Sequence, residues 1–273
     1  MVCGPFAYSH CEMTLNAVRL SVWALLAGVA LNAGGAGVNA SHAGFSFNDW
    51  LVAPVRVHLL CASNGPAIHT TLTNSDVERI LKKMNSVWSQ AGISFWLESL
   101  VCEEALNQDY TARMGLPDDL RGLLSLRPVA SRATNLFHFY YVKRFSANGV
   151  YLGEAMFVKD TAKLEAVPGG IDEPLPRVSS HELGHALSLE HHTNLHHLMY
   201  RGTTGTNLDA AEIRQARAAA QGLPWIERAP DLFKRAGELR EKKNAVEARR
   251  LYSRLAVIPL DDPAIRLSRQ REK

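Results

Sequence analysis

Apolar and polar residues alternate from Pro54 to Leu60 (PVRVHLL), the two-residue period of a half-buried strand. The period then changes. Val77, Ile80, Leu81, Met84, Val87 and Trp88 recur at helical spacing, which predicts a helix capped at Asn74 or Ser75 and closed at Gly92. Ile93 to Leu97 reads as a second strand, and a strand-helix-strand unit predicts two parallel strands with a right-handed crossover. After a less regular stretch of helix and loops around Pro117 and Pro128, Asn135 to Val142 (NLFHFYYV) has the continuous apolar character of a central strand. Gly149 to Val158 alternates and reads as one further strand. A Pro/Gly-rich loop from Val167 to Pro176 separates it from a second region of helical spacing that begins near Val178.

That region, VSSHELGHALSLEHHTNLHHLMY, carries the chemistry. His181 and His185 stand at i and i+4, one turn apart on one helix face, so their imidazoles converge. Glu182 projects beside them, and His191 and Met199 follow. Three neutral imidazoles can hold Zn²⁺ and leave its fourth position open to water, while an adjacent carboxylate serves as general base and not as a ligand. A bare HExxH arises by chance in roughly 2 chains in 100 of this length and histidine content, so the third histidine and the following Leu-Met-Tyr sharpen the signal. Six of the 11 histidines lie between His181 and His197. Leu183, Ala186, Leu187 and Leu189 interleave them at helical spacing, which favours a buried active-site helix over a merely histidine-rich metal-sorbing tract.

On these residues the chain resembles the metzincin metallopeptidases, whose motif is HExxHxxGxxH followed by a methionine turn. His181, Glu182, His185, His191 and Met199 match position by position, and Tyr200 follows the methionine as in the matrix-metallopeptidase branch. The resemblance implies metal ligands His181, His185 and His191, Glu182 as the catalytic base, and Met199 as an apolar floor beneath the metal. Ser188 replaces the family's glycine, where the chain must turn sharply. A non-glycine residue in that left-handed turn costs on the order of 1 to 2 kcal/mol, and Glu190 or His192 is the alternative third ligand if the turn differs. His196 and His197 read as surface or supporting residues of the loop. The resemblance also implies that the Gly149 to Val158 strand lines the cleft and pairs with extended substrate, and that the loop Gly202 to Asn207 borders the specificity pocket. His138 reads as a buried structural histidine and Glu154 as a solvated edge carboxylate.

The implied fold class is α+β: a zincin-like catalytic domain over residues 54–222, with a mixed, mostly parallel twisted sheet, an active-site helix and a C-terminal helical appendage. Asp209 to Ala220, capped by Asp209 or Asn207, is the Ala-rich helix closing that domain. Pro224 and Pro230 bracket a linker to the appendage, a helical hairpin over residues 229–262 (Leu232 to Lys242 and Ala245 to Val257) that weakly resembles one tetratricopeptide unit at Gly237, Ala248 and Tyr252.

Composition adds the location. Arg19 precedes an apolar run, Leu20 to Leu31, with small-residue cleavage sites at Ala33 and Ala40 and no further charge until Asp49, so residues 1–40 read as a signal peptide, with Met13 as an alternative start. The apolar run is short of the roughly 20 residues a membrane span needs, so no stable anchor is expected after cleavage. The protein is expected to be secreted or periplasmic. Cys61 and Cys102 would then be an even pair in an oxidising compartment, which predicts one disulfide. The net charge of +3 is too small to argue for nucleic acid; the region from Arg228 to Lys273 carries 13 Lys/Arg against 7 Asp/Glu, so the basic part is the tail. The expected activity is that of an exported zinc endopeptidase with a protein or peptide substrate; either the enzyme is made active or a separate protein inhibitor restrains it. The rival readings are a zinc-binding scaffold whose catalysis has lapsed and a zinc amidase acting on a non-peptide or cell-wall amide.

Overall fold

The computed structural model describes residues 44–63, 65–109 and 117–273; the predicted signal peptide lies outside the described residues. Its framework is a sheet of strands β1 (Leu51–Cys61), β2 (Ile93–Glu104), β3 (Phe137–Val142), β4 (Gly149–Tyr151), β5 (Met156–Lys159) and β6 (Glu227–Arg228). Their order is β2-β1-β3-β5-β4, with β6 paired to the start of β1. The β1–β2, β1–β3 and β3–β5 pairs are parallel, while β4–β5 and β1–β6 are antiparallel. This is a mixed α/β architecture with a mostly parallel sheet.

Side-chain alternation along the strands sorts the core. Val55, Val57 and Leu59 of β1, Phe137, Phe139 and Tyr141 of β3, and Met156 and Val158 of β5 face helices α1 (Asn74–Trp88) and α2 (Pro174–Ala186). The intervening Leu60, Tyr140, Val142 and Phe157 face a 3₁₀ segment, Pro117–Leu126. Both faces are covered, which explains why β3 is an unbroken run of buried residues. His138 lies in that run, within a chain of short contacts from Glu103 to His58 Nδ1 (2.6 Å), from His58 Nε2 to His138 Nδ1 (2.8 Å) and from His138 Nε2 to Ala133. It ties the backbone before β3 to the sheet.

Helix α1 starts one residue earlier than the pattern suggested. Thr73 is the N-cap, since Thr73 Oγ1 accepts from Asp76 N–H and Asp76 accepts in return from Thr73 N–H (2.8 Å), a reciprocal arrangement that Asn74 and Ser75 lack. The helix ends at Trp88, short of the expected Gly92, and a 3₁₀ turn, Ser89–Ala91, carries the chain on to Gly92, whose φ is +61°. The stretch from Gly149 to Val158 is not one strand. Leu152 N–H bonds to Ala155 O (2.9 Å) and Gly153 takes φ +82°, so the chain reverses and forms the β4–β5 hairpin. Glu154 sits in that exposed turn, ion-paired with Arg127 (2.8 Å), and the edge position falls to β4 alone.

The disulfide expectation is overturned. β1 and β2 are adjacent, but Cys61 pairs in register with Glu104 and Cys102 with Leu59, and both thiols are free. Strands about 4.8 Å apart with about 3.3 Å rise per residue put Cα atoms two residues out of register about 8 Å apart, beyond disulfide reach.

The C-terminal region holds three helices where the periodicity suggested two: α4 (Ala229–Glu241), α5 (Ala245–Ala256) and α6 (Pro263–Arg271). Asp262 caps α6 by accepting from Ala264 N–H (2.7 Å), and only Ile265 and Ser268 of that helix are buried, too few to show as a period. Leu232, Ala236, Leu251, Tyr252 and Leu255 pack with Trp50 and Val52 at the start of β1. No helix among the described residues is long and apolar enough to cross a membrane.

Candidate metal centre

Helix α2 begins inside the Pro/Gly-rich loop. Pro174 and Pro176 occupy its first turn, where a missing N–H costs nothing because the first amides of a helix have no partner within it. The helix is buried almost throughout and ends at Ala186. Leu189 N–H then bonds to Gly184 O (2.8 Å) and Ser188 N–H to His185 O (3.0 Å), the paired bonds of a Schellman turn. Ser188 takes the left-handed conformation at φ +67°, so serine makes the turn for which the resemblance supplied a glycine. Gln215 of helix α3 (Ala210–Gln221) donates to Ser188 O and ties the turn down.

This turn returns the chain so that His191 meets His181 and His185. The ring centroids lie 4.8, 5.3 and 4.7 Å apart, and each ring offers a nitrogen within 4.8 Å of the others. His181 Nδ1–H donates to Leu198 O and His185 Nδ1–H to Leu189 O, both at 2.8 Å, so each Nε2 turns its lone pair toward the shared space. His191 has no such carbonyl; the Arg201 guanidinium donates to its Nδ1 (3.1 Å). Burial lowers the basicity of all three rings, with His191 pushed down to about 4, so they are neutral at neutral pH and in the form that binds a metal. Among the described residues, Glu190 and His192 are not members of this cluster, and the three residues brought together are those of the motif.

Glu182 is 5% exposed, and burial pushes its carboxyl up to about 8 against the opposing pull of Arg177 and a hydrogen bond from Tyr151 N–H. The edge strand β4 therefore abuts the carboxylate directly. Gly149 makes that approach possible, since a Cβ there would lie 2.6 Å from Glu182 Oε1 and from Val178 Cγ1. A second glycine does the same beneath the histidines. A Cβ on Gly184 would lie 2.4 Å from Met199 Sδ, so the fully buried Met199 packs against the bare backbone of α2. Neither glycine has a signature in the sequence, because both are required by contacts with distant segments.

Arg177 is a third residue that motif reasoning passes over. It lies one turn before His181 and is 2% exposed. Its guanidinium donates to Gly205 O (3.2 Å), His197 O (3.4 Å) and Tyr200 O, and so fastens the loop around Met199 to the helix that carries His181. Burial lowers its pKa to about 10, which leaves it charged at neutral pH. The spacing of four from His181 was the available signal, but an arginine on an apolar helix face is recognisable as structural only when its carbonyl partners are seen.

Among solved structures the chain is similar to archaemetzincin from Methanopyrus kandleri, with 15% identity over 62% of this chain and 96% of that one at a TM-score of 0.42. No family model and no curated protein matches. The functional reading therefore rests on the side chains themselves.

Proposed function

We propose that this protein is an exported zinc endopeptidase in which His181, His185 and His191 hold the metal and Glu182 is the catalytic base. The observation that carries the reading is the convergence of three neutral imidazoles, two with their tautomer set by backbone carbonyls, beside one buried carboxylate. The donor set fits zinc with one open position, and when bound the ion supplies a Lewis acid and a water acidified toward neutrality. Glu182 takes the proton of the attacking water and delivers it to the leaving amine nitrogen. Its burial raises its basicity, which suits a group that must accept and then give up a proton near neutral pH.

Strand β4 is at the sheet edge and touches Glu182, so an extended peptide added alongside it would bring a scissile bond to the carboxylate through main-chain hydrogen bonds alone. Met199 supports the floor through Gly184. Zinc content and cleavage of a diverse peptide library test the reading, run beside Glu182→Ala and a chelated sample. The expected result is cleavage lost in both controls with zinc retained by the variant. Cleavage by Glu182→Ala would sink the mechanism, and bound zinc with no cleavage of any peptide would favour a non-catalytic scaffold.

A further inference from the structure

The same loop contributes to a second cluster of side chains that could bind a metal. His192, His197 and Glu212 each offer a ligand atom within 4.8 Å of the others. The imidazoles of His192 and His197 stack face to face with centroids 3.7 Å apart, and His197 Nδ1 lies 3.1 Å from Glu212 Oε2. Asp209, the N-cap of α3, accepts from Ala211 and Glu212 N–H through Oδ1, while its Oδ2 lies 3.8 Å from His192 Nε2. Two imidazoles thus face two carboxylates one helical turn apart on α3.

Hydrogen bonding explains only part of this arrangement. Glu212 is 9% exposed, and its Oε2 accepts from Asp209 N–H (2.8 Å) and meets His197. Its Oε1 is buried with no partner. An unpaired buried carboxylate oxygen is costly, and a cation is the natural partner for it.

We infer that His192, His197, Asp209 and Glu212 form a second zinc site, separate from the His181–His185–His191 centre. Tetrahedral zinc with bonds of about 2.0 to 2.2 Å places ligand atoms roughly 3.3 Å apart. The His197–Glu212 and His192–Asp209 separations, 3.1 and 3.8 Å, are near that spacing, and one of the two stacked imidazoles turns out of the stack on binding so that both in-plane lone pairs reach the ion. His192 Nδ1 accepts from Asn194 N–H (2.9 Å); ligation through Nε2 moves the ring proton to Nδ1, and this exposed amide turns to water. Two nitrogens and two carboxylate oxygens from the protein close the coordination sphere, so the site is structural and has no position for substrate. It staples the start of the His191–Met199 loop to α3. His192 follows His191 directly and its N–H bonds to Met199 O (2.9 Å), so the staple holds both the third histidine and the methionine floor of the neighbouring centre.

The test is zinc stoichiometry on the full purified chain by mass spectrometry after dialysis, with Co²⁺ absorption spectra, for wild type, His185→Ala, Glu212→Gln and His197→Gln. Two equivalents in wild type are expected, with one remaining in each variant. The Co²⁺ spectrum that remains should differ between His185→Ala and Glu212→Gln. Unchanged far-ultraviolet circular dichroism and a retained first equivalent show that Glu212→Gln and His197→Gln still fold. One equivalent in wild type that His185→Ala removes and Glu212→Gln leaves intact would overturn the second site. One equivalent removed by Glu212→Gln but not by His185→Ala would support it and instead sink the proposed catalytic centre. No bound metal in wild type would overturn both.

Discussion

Glu182→Gln in the chelator-treated protein gives a stability change whose sign and pH range follow from the structure. Burial raises the folded-state pKa of this carboxyl from 4.5 to about 8. The folded state therefore binds a proton that the unfolded chain has already released, and stability from this group falls as pH rises from 4.5 through about 8. At pH 7 the gap of about 2.5 units costs about 3 kcal/mol at 1.36 kcal/mol per unit, and above pH 8 the cost levels off at about 5 kcal/mol. Glutamine has the same shape, can accept from Tyr151 N–H and carries no charge. Glu182→Gln should thus match wild type near pH 4.5 and exceed it by about 3 kcal/mol at pH 7, a rise in Tm of roughly 10 °C for a domain of this size. Urea unfolding with chelator at pH 4.5, 6, 7 and 8.5 measures it, because the other titrating groups cancel in the difference between the two proteins. A difference that does not grow with pH would refute the claim that burial dominates this carboxylate. Added zinc should shrink the difference, since a nearby cation favours the ionised form.

Gly184→Ala should destabilise by about 1 to 3 kcal/mol, because its methyl would meet Met199 Sδ at 2.4 Å; a urea midpoint equal to wild type would show that the methionine moves freely. Ser188→Gly should leave stability level or raise it by up to about 1 kcal/mol, as relief of the left-handed strain at φ +67° is offset by glycine's greater freedom when unfolded; a clear loss would mean that the serine side chain itself holds the turn. Arg177→Met leaves the carbonyls of His197, Tyr200 and Gly205 without their donor, and a loss of about 2 to 4 kcal/mol is expected by urea unfolding, with faster proteolysis of the 195–207 loop. Cys61 and Cys102 should both be alkylated in unreduced, denatured protein; a mass showing neither labelled would contradict the observed register.

The elements with a strong period were readable in advance. Helix α1 has six core positions at helical spacing, and β3 is apolar without a break, so burial alone forced their type. The two histidines at i and i+4 were equally readable, because their convergence is a local property of one helix turn. Features that depend on where segments meet were not. Gly153 and Ala155 break an alternating run into a hairpin through backbone dihedrals that alternation does not encode. The sequence allows Cys61 and Cys102 to lie at one end of two parallel strands, but only the ladder decides a two-residue offset, and with it the absence of a bond. Which nitrogen each histidine presents depends on carbonyls of Leu189 and Leu198, outside the helix, and the fit of Gly149 and Gly184 depends on side chains from other elements. The chain's own order of residues thus determines which groups are available and how each segment curls. Their chemistry, the basicity of Glu182 above all, is decided by desolvation and by contacts between segments far apart in sequence, and these exist only once the chain has packed.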